Sequence, residues 1–140
     1  NKTLSDGWLR TGDQASVDVE GFVTIVGRFK EIIIRGGENI SCLEVEQVLH
    51  AFPGIYEASV FGIPDERLGE EVGCLIYLYP KANLILNDLR QFMSNRLAKY
   101  KNPKRIWISL NPLPKGGTDK IDKNLIRDLC VCKGKFAKLN

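Results

Sequence analysis

The chain has little of what the commonest catalytic devices need. Its 140 residues contain one histidine, His50, and one methionine. His50 falls on the polar side of an expected helix with no orienting carboxylate beside it, so a general-base role has no local support. There is no Gly-x-Ser-x-Gly elbow, no Gly-x-x-x-x-Gly-Lys-Ser/Thr phosphate loop and no His-Glu-x-x-His pair, so hydrolysis by these devices and phosphate-loop chemistry are not supported. No apolar run approaches the roughly 20 residues that cross a bilayer. The opening residues do not read as a signal peptide. Four cysteines, Cys42, Cys74, Cys130 and Cys132, are too few and too scattered for a disulfide scaffold, which points to a reducing, cytoplasmic setting. Cys130 and Cys132 have no second Cys or His pair near them, so no metal site is expected.

The composition is that of an ordinary globular domain, with 44% apolar and 26% charged residues and a net charge of +3. The charge is unevenly placed. Residues 123–140 hold five cations against one carboxylate, a net +4, so the other 122 residues sum to −1. A near-neutral domain with a basic tail is not a general nucleic-acid binder. Asn1 rather than Met opens the chain, and a piece of a longer polypeptide is expected.

Residues 1–29 read as a β segment punctuated by Gly7, Gly12, Gly21 and Gly27, with Phe22, Val23, Ile25 and Val26 its most strand-like run. Ile32, Ile33 and Ile34 form a β-branched run ending in a turn at Gly36 and Gly37. A helix is expected next. Ser41 and Glu44 have capping-box spacing, Val45, Val48, Leu49 and Phe52 form one apolar face, and Pro53 with Gly54 stops it. Strands follow over about 57–63 and 72–79, both apolar enough to be buried on two faces. A second helix over about 88–99 is capped by Asn87 or Asp88, a third strand covers 106–110, a Pro/Gly/Lys-rich loop covers 111–120, and Leu125, Ile126 and Leu129 mark a last helix. The order β–α–β–β–α–β–α predicts an α+β fold, a small sheet with helices packed on it.

Two Gly/Lys-rich loops remain as chemistry-bearing elements. One is Gly36–Gly37–Glu38–Asn39, flanked by Arg28, Lys30 and Arg35. The other is Pro114–Lys115–Gly116–Gly117–Thr118–Asp119–Lys120. Glycine amides admit close approach of a ligand. A lysine on a mobile loop can neutralise charge developing on phosphate or carboxylate oxygens. Generic reasoning stops at anion binding.

Three motifs in order carry the reading further. Gly7–Trp8–Leu9–Arg10–Thr11–Gly12–Asp13 resembles a Thr-Gly-Asp motif. Gly27–Arg28–Phe29–Lys30 through Ile34–Arg35–Gly36–Gly37–Glu38–Asn39–Ile40 resembles a hinge and glycine-turn motif. Leu113–Pro114–Lys115 through Thr118–Asp119–Lys120–Ile121 resembles a catalytic-lysine loop. Together, over about residues 7–129, they resemble the C-terminal part of acyl-adenylate-forming enzymes, the AMP-binding family of acyl-CoA synthetases, peptide-synthetase adenylation domains and luciferases.

The resemblance implies a β-rich remnant of a large N-terminal domain over 1–29, a mobile C-terminal lid domain over 30–130 and a basic tail over 131–140. It implies an ATP-dependent acid–thiol ligase of which this fragment alone is inactive. A carboxylic acid attacks the α-phosphate of ATP, and CoA then displaces AMP. By the same resemblance Asp13 and Arg28 hold the ribose, Lys30 is the hinge, and Lys120 bridges carboxylate and α-phosphate. Gly36 and Gly37 line the thiol tunnel, and Tyr100 and Lys104 meet the nucleotide end of CoA. Mg2+ is held mainly by the other domain. Within the family an adenylation domain loading a carrier protein is the alternative, and a non-catalytic module retaining the fold is another. The sequence departs from the family at Asp119, where glycine usually precedes the lysine, and at Cys42, often proline. The tail after Leu129 has no counterpart.

Overall fold

A computed structural model describes residues 4–5 and 7–139. The outermost residues of the expected segments 1–29 and 131–140 therefore lie outside the described residues, as does residue 6. The chain begins with two short antiparallel pairs. Strands β1 (Leu4–Ser5) and β2 (Trp8–Leu9) form one, and β3 (Asp13–Val17) and β4 (Val23–Arg28) the other. A single 3-10 turn, Phe29–Glu31, leads from β4 into the main sheet. That sheet contains β5 (Ile32–Arg35), β6 (Glu38–Ser41), β7 (Ile55–Asp65), β8 (Gly69–Leu78), β9 (Arg105–Ser109) and β10 (Ala137–Leu139), with helices α1 (Cys42–His50), α2 (Leu86–Ser94) and α3 (Lys123–Val131).

Strand β8 is the centre. It pairs antiparallel with β7 along nearly its whole length, and parallel with β9 through a crossover that contains α2. Side chains alternate across such a strand. Val72, Cys74 and Ile76 therefore face the core shared with α1 and α2, including Val45, Leu49, Leu89 and Met93. Leu75 faces the opposite core, where Ile126 and Cys130 of α3 pack with Phe61, Ile63 and Trp107. Helices thus cover both faces, and the fold is α+β as expected. Gly73 lies beneath the indole. A Cβ there would stand 3.1 Å from Trp107 and 3.0 Å from Ile63, so the missing side chain is what makes room for the ring.

Several sequence expectations are corrected. The turn at Gly36 and Gly37 does not lead directly into a helix. Both residues have positive φ, 56° and 91°, the geometry of a two-residue hairpin turn, and β6 returns antiparallel to β5 before α1 begins. Ser41 caps α1 by accepting from the Glu44 amide at 3.4 Å, but the Glu44 carboxylate completes no box. Lys101 holds it instead, at 2.7 and 2.8 Å. Neither Asn87 nor Asp88 caps α2. Ile85 occupies the cap position without a side-chain bond, and Asp88 sits in the first turn, where the helix dipole favours a carboxylate. The helix stops at Ser94, and Leu97 is buried from a turn beyond it.

Strand β7 continues through Pro64, which pairs opposite Glu70. A proline is tolerated there because, among the described residues, β7 has a strand on one side only. The tail also takes part in the sheet. Residues 137–139 add β10 antiparallel to β9.

Candidate functional site

The chemistry-bearing residues fall into three groups around the turn that joins the two parts of the chain. The first group lies on the β3/β4 hairpin. Asp13 and Arg28 are cross-strand partners at its open end, and Arg28 Nε donates to Asp13 Oδ1 at 2.9 Å. Among the described residues the guanidinium bonds through Nε alone. The hairpin is tied to the end of β6 by Ser41 Oγ, which donates to the Val26 carbonyl at 2.8 Å.

The second group surrounds a cavity of about 460 Å³ whose lining includes Lys30, Glu31, Thr118, Lys120, Lys123 and Arg127. Lys30 is the middle residue of the Phe29–Glu31 turn, between β4 and β5. Lys120 ends a narrow hairpin. The Asp119 amide donates to the Gly116 carbonyl at 3.0 Å, the Gly116 amide donates to the Lys120 carbonyl at 2.8 Å, and Lys115 bridges Ile121. The loop is thus a hydrogen-bonded hairpin. Asp119 occupies its left-handed position, with φ +59°. Glycine is the residue that enters this region without cost, and Asp is among the few others that tolerate it. The hairpin hands the chain to α3, whose first amides are capped by Asp122, accepting from Leu125 at 3.0 Å.

The third group surrounds the Gly36–Gly37 turn. The Gly36 amide donates to the Leu68 carbonyl at 2.8 Å. Glu71, almost fully buried, accepts from Arg35 Nε. Lys104 Nζ lies 3.5 Å from Glu71 and 3.9 Å from Asp65. Two backbone amides, first that of Leu68 and then that of Arg67, hold the Asp65 carboxyl below the usual carboxylate range. Lys104 thus belongs with the glycine turn. Tyr100 does not. It is half-buried against the α1/α2 core, with the Lys101 ammonium 5.9 Å from its ring centroid.

One functional group has no counterpart among the sequence expectations. The Lys123 ammonium is out of contact with solvent and has no acceptor in hydrogen-bond geometry, but it is ion-paired at 2.8 Å to Glu31 Oε2 and at 2.8 Å to Glu46 Oε1. Burial opposes its charge, but the two carboxylates outweigh that and raise its pKa. A signal is present in the sequence: Lys123 is the first residue of α3, where the helix dipole disfavours a cation. The nearby Cys42 thiol is pushed up to about 12 by burial, so it is inert as a nucleophile. Among the described residues no cluster of three or more His, Cys, Asp or Glu side chains suits a metal ion, and no helix is long and apolar enough to cross a membrane.

Comparison with known proteins places these groups in context. Over 129 residues the chain is 43% identical to an acyl-CoA ligase of Ajellomyces capsulatus, covering 87% of this chain and 22% of that protein. It is 40% identical over 120 residues to an oxalate–CoA ligase of Arabidopsis thaliana, covering 86% and 23%. Among solved structures it superimposes on an o-succinylbenzoate CoA synthetase from Bacillus subtilis, in complex with the acyl-adenylate intermediate. The TM-score is 0.83 and the identity 36%, over 90% of this chain and 25% of that one. The chain thus spans about a quarter of the length of the relatives it matches. The family model described as the AMP-binding enzyme C-terminal domain matches residues 44–120, and the chain belongs to that family.

Proposed function

We propose that this chain is the C-terminal part of an AMP-forming acyl-CoA synthetase. In the first step a carboxylate displaces pyrophosphate from ATP, and in the second CoA displaces AMP to give a thioester. The observation that carries the reading is the distribution of the three groups about Lys30. Asp13 and Arg28 precede it, already paired at 2.9 Å. Lys120 and the Gly36–Gly37 turn both lie beyond it in the chain, Lys120 in the closing pair of one narrow hairpin and the two glycines at the tip of another. A rotation at Lys30 exchanges the two hairpins while leaving the paired residues in place. Hinges of this kind sit at element ends, and Lys30 lies in a single turn between two strands.

Asp13 accepts the ribose hydroxyls, and Arg28 donates to the same ribose through its terminal nitrogens. Lys120 lies between two anionic reactants that repel each other, the carboxylate and the α-phosphate, and lowers the cost of bringing them together. In the second step the glycine turn lines the path of the thiol. Lys104 leaves its carboxylate partners to meet a phosphate of CoA. The described residues offer no metal-ligand cluster, and Mg2+ belongs with the remainder of the enzyme. That remainder also covers the apolar surface of the leading segment, where Trp8, Leu9, Val17, Phe22, Val23 and Phe29 are all 63% or more exposed. Apolar exposure on this scale marks a docking face. The four unpaired thiols suit the cytoplasm.

The test uses the full-length enzyme with ATP, radiolabelled pyrophosphate and a panel of acetate, oxalate and octanoate. Lys120→Ala is expected to lower ATP–pyrophosphate exchange by about 100- to 1000-fold, the usual cost of one lost donor to developing charge. Unchanged exchange overturns the role of Lys120.

A further inference from the structure

We infer that Lys123 is a positioning residue for the ligase reaction, a buried clamp that makes the pivot and the Lys120 hairpin move as one rigid body. The inference rests on the reading of Lys30 as pivot and Lys120 as the group that meets substrate. It goes beyond that reading in assigning a residue to which the reading gives no role. Three elements converge on one ammonium. Glu31 is the residue directly after Lys30, Glu46 belongs to α1, and Lys123 itself opens α3, three residues after Lys120. A fourth element joins through Glu46 Oε1, which also accepts the Val60 amide of β7 at 2.8 Å. Lys123 and Glu46 are largely buried, with side-chain exposures of 22% and 13%.

An ion cluster like this is a poor way to add stability, because desolvation cancels much of the attraction. Its geometric effect is larger. A hinge works as a point only if the residue next to it is fixed to the moving body. Otherwise torsion spreads along the strand, and the tip of a distant hairpin arrives in a range of places. Glu31 is fixed in this way, and by the same nitrogen that fixes the root of the Lys120 hairpin. Asp122, beside Lys123, accepts from Leu125 and donates its own amide to the Pro114 carbonyl at 3.0 Å. Both strands of the hairpin therefore end at the clamp.

The full-length enzyme is tested as Lys123→Met, Glu31→Gln and Lys123→Arg, by ATP–pyrophosphate exchange with the acid of the acetate, oxalate and octanoate panel that the unmodified enzyme accepts best. Amide hydrogen exchange is followed in parallel and needs no substrate. Lys123→Met is expected to lower kcat for exchange at least tenfold with KM for ATP within twofold, since the ribose pair lies on the other side of the pivot. Glu31→Gln moves kcat the same way by at least threefold and serves if Lys123→Met does not fold. Lys123→Arg recovers activity to within threefold of the unmodified enzyme. Amides of residues 29–33 and 115–121 lose protection while those of α2 keep theirs. The inference is overturned if kcat is unchanged in Lys123→Met and Glu31→Gln, if KM rises in place of a fall in kcat, or if protection falls equally in α2. The Lys120→Ala result separates the two readings: if that variant loses exchange and the clamp variants do not, only the clamp fails.

Discussion

Asp119 offers a quantitative check on the hairpin that carries Lys120. Its φ of +59° costs an ordinary L-residue about 1–2 kcal/mol relative to the right-handed region. Asp meets part of that cost, because its short polar side chain suits local bonding. Its ion pair adds little: Lys115 Nζ is 3.7 Å away and the Asp119 side chain is 89% exposed, a geometry worth only a few tenths of a kcal/mol. Glycine has no Cβ penalty here, though its freer unfolded chain takes back about 0.5–1 kcal/mol. Asp119→Gly should therefore stay within about 0.5 kcal/mol of the parent chain. Asp119→Ala should fall about 1 kcal/mol below Asp119→Gly, roughly 3 °C in Tm for a chain of this size. Asp119→Val, β-branched, should fall further. The assay is urea or thermal unfolding of the three variants, with ATP–pyrophosphate exchange in the full-length enzyme as the functional counterpart. Exchange should follow the same order, because strain at residue 119 displaces the adjoining Lys120. If the alanine and glycine variants are equally stable, the left-handed conformation is not populated and the reasoning fails.

Two further predictions concern the body that carries the hairpins. Gly73→Ala should destabilise by about 1–3 kcal/mol as an overpacked core, because its Cβ would meet Ile63, Trp107 and Phe61 at 3.0–3.3 Å; unfolding at unchanged denaturant midpoint would refute the close packing under Trp107. For Asp65 the folded carboxyl releases its proton more readily than in the unfolded chain. Its contribution is therefore complete above the ordinary Asp range near about 4 and fades as pH falls through the lowered folded value. Asp65→Asn should flatten that acid limb and lower stability at neutral pH, and a variant whose acid limb matches the parent's contradicts the assignment.

The parts of the fold legible in sequence were those whose signal is local. The Ile32–Ile34 run, the apolar stripe of α1 and the two long apolar strands each carry their period within a few residues. So do the Asp13 and Lys120 motifs. What is not legible depends on partners far along the chain. The Lys123 clamp needs Glu31 and Glu46, 92 and 77 positions earlier. Glu44 has the spacing of a capping box, yet Lys101, 57 positions away, outcompetes the local amide. Pro64 reads as a strand terminator, and only the one-sided pairing of β7 makes it harmless. Strand β10 has three residues and no alternation long enough to detect. It exists because β9 offers it an open ladder.

That last pairing has a practical consequence for handling the protein. Strand β9 holds Ile106, Trp107 and Ile108 in sequence, and β10 covers its outer edge with Lys138 opposite Trp107. A chain shortened to end at Val131 would leave those hydrogen-bonding groups free beside three large apolar side chains, a template on which another molecule can stack. Such a version should precipitate or form higher-order species on concentration. The basic stretch 133–138 then has a use that needs no ligand: it closes the ladder and places charge where further strands would otherwise attach.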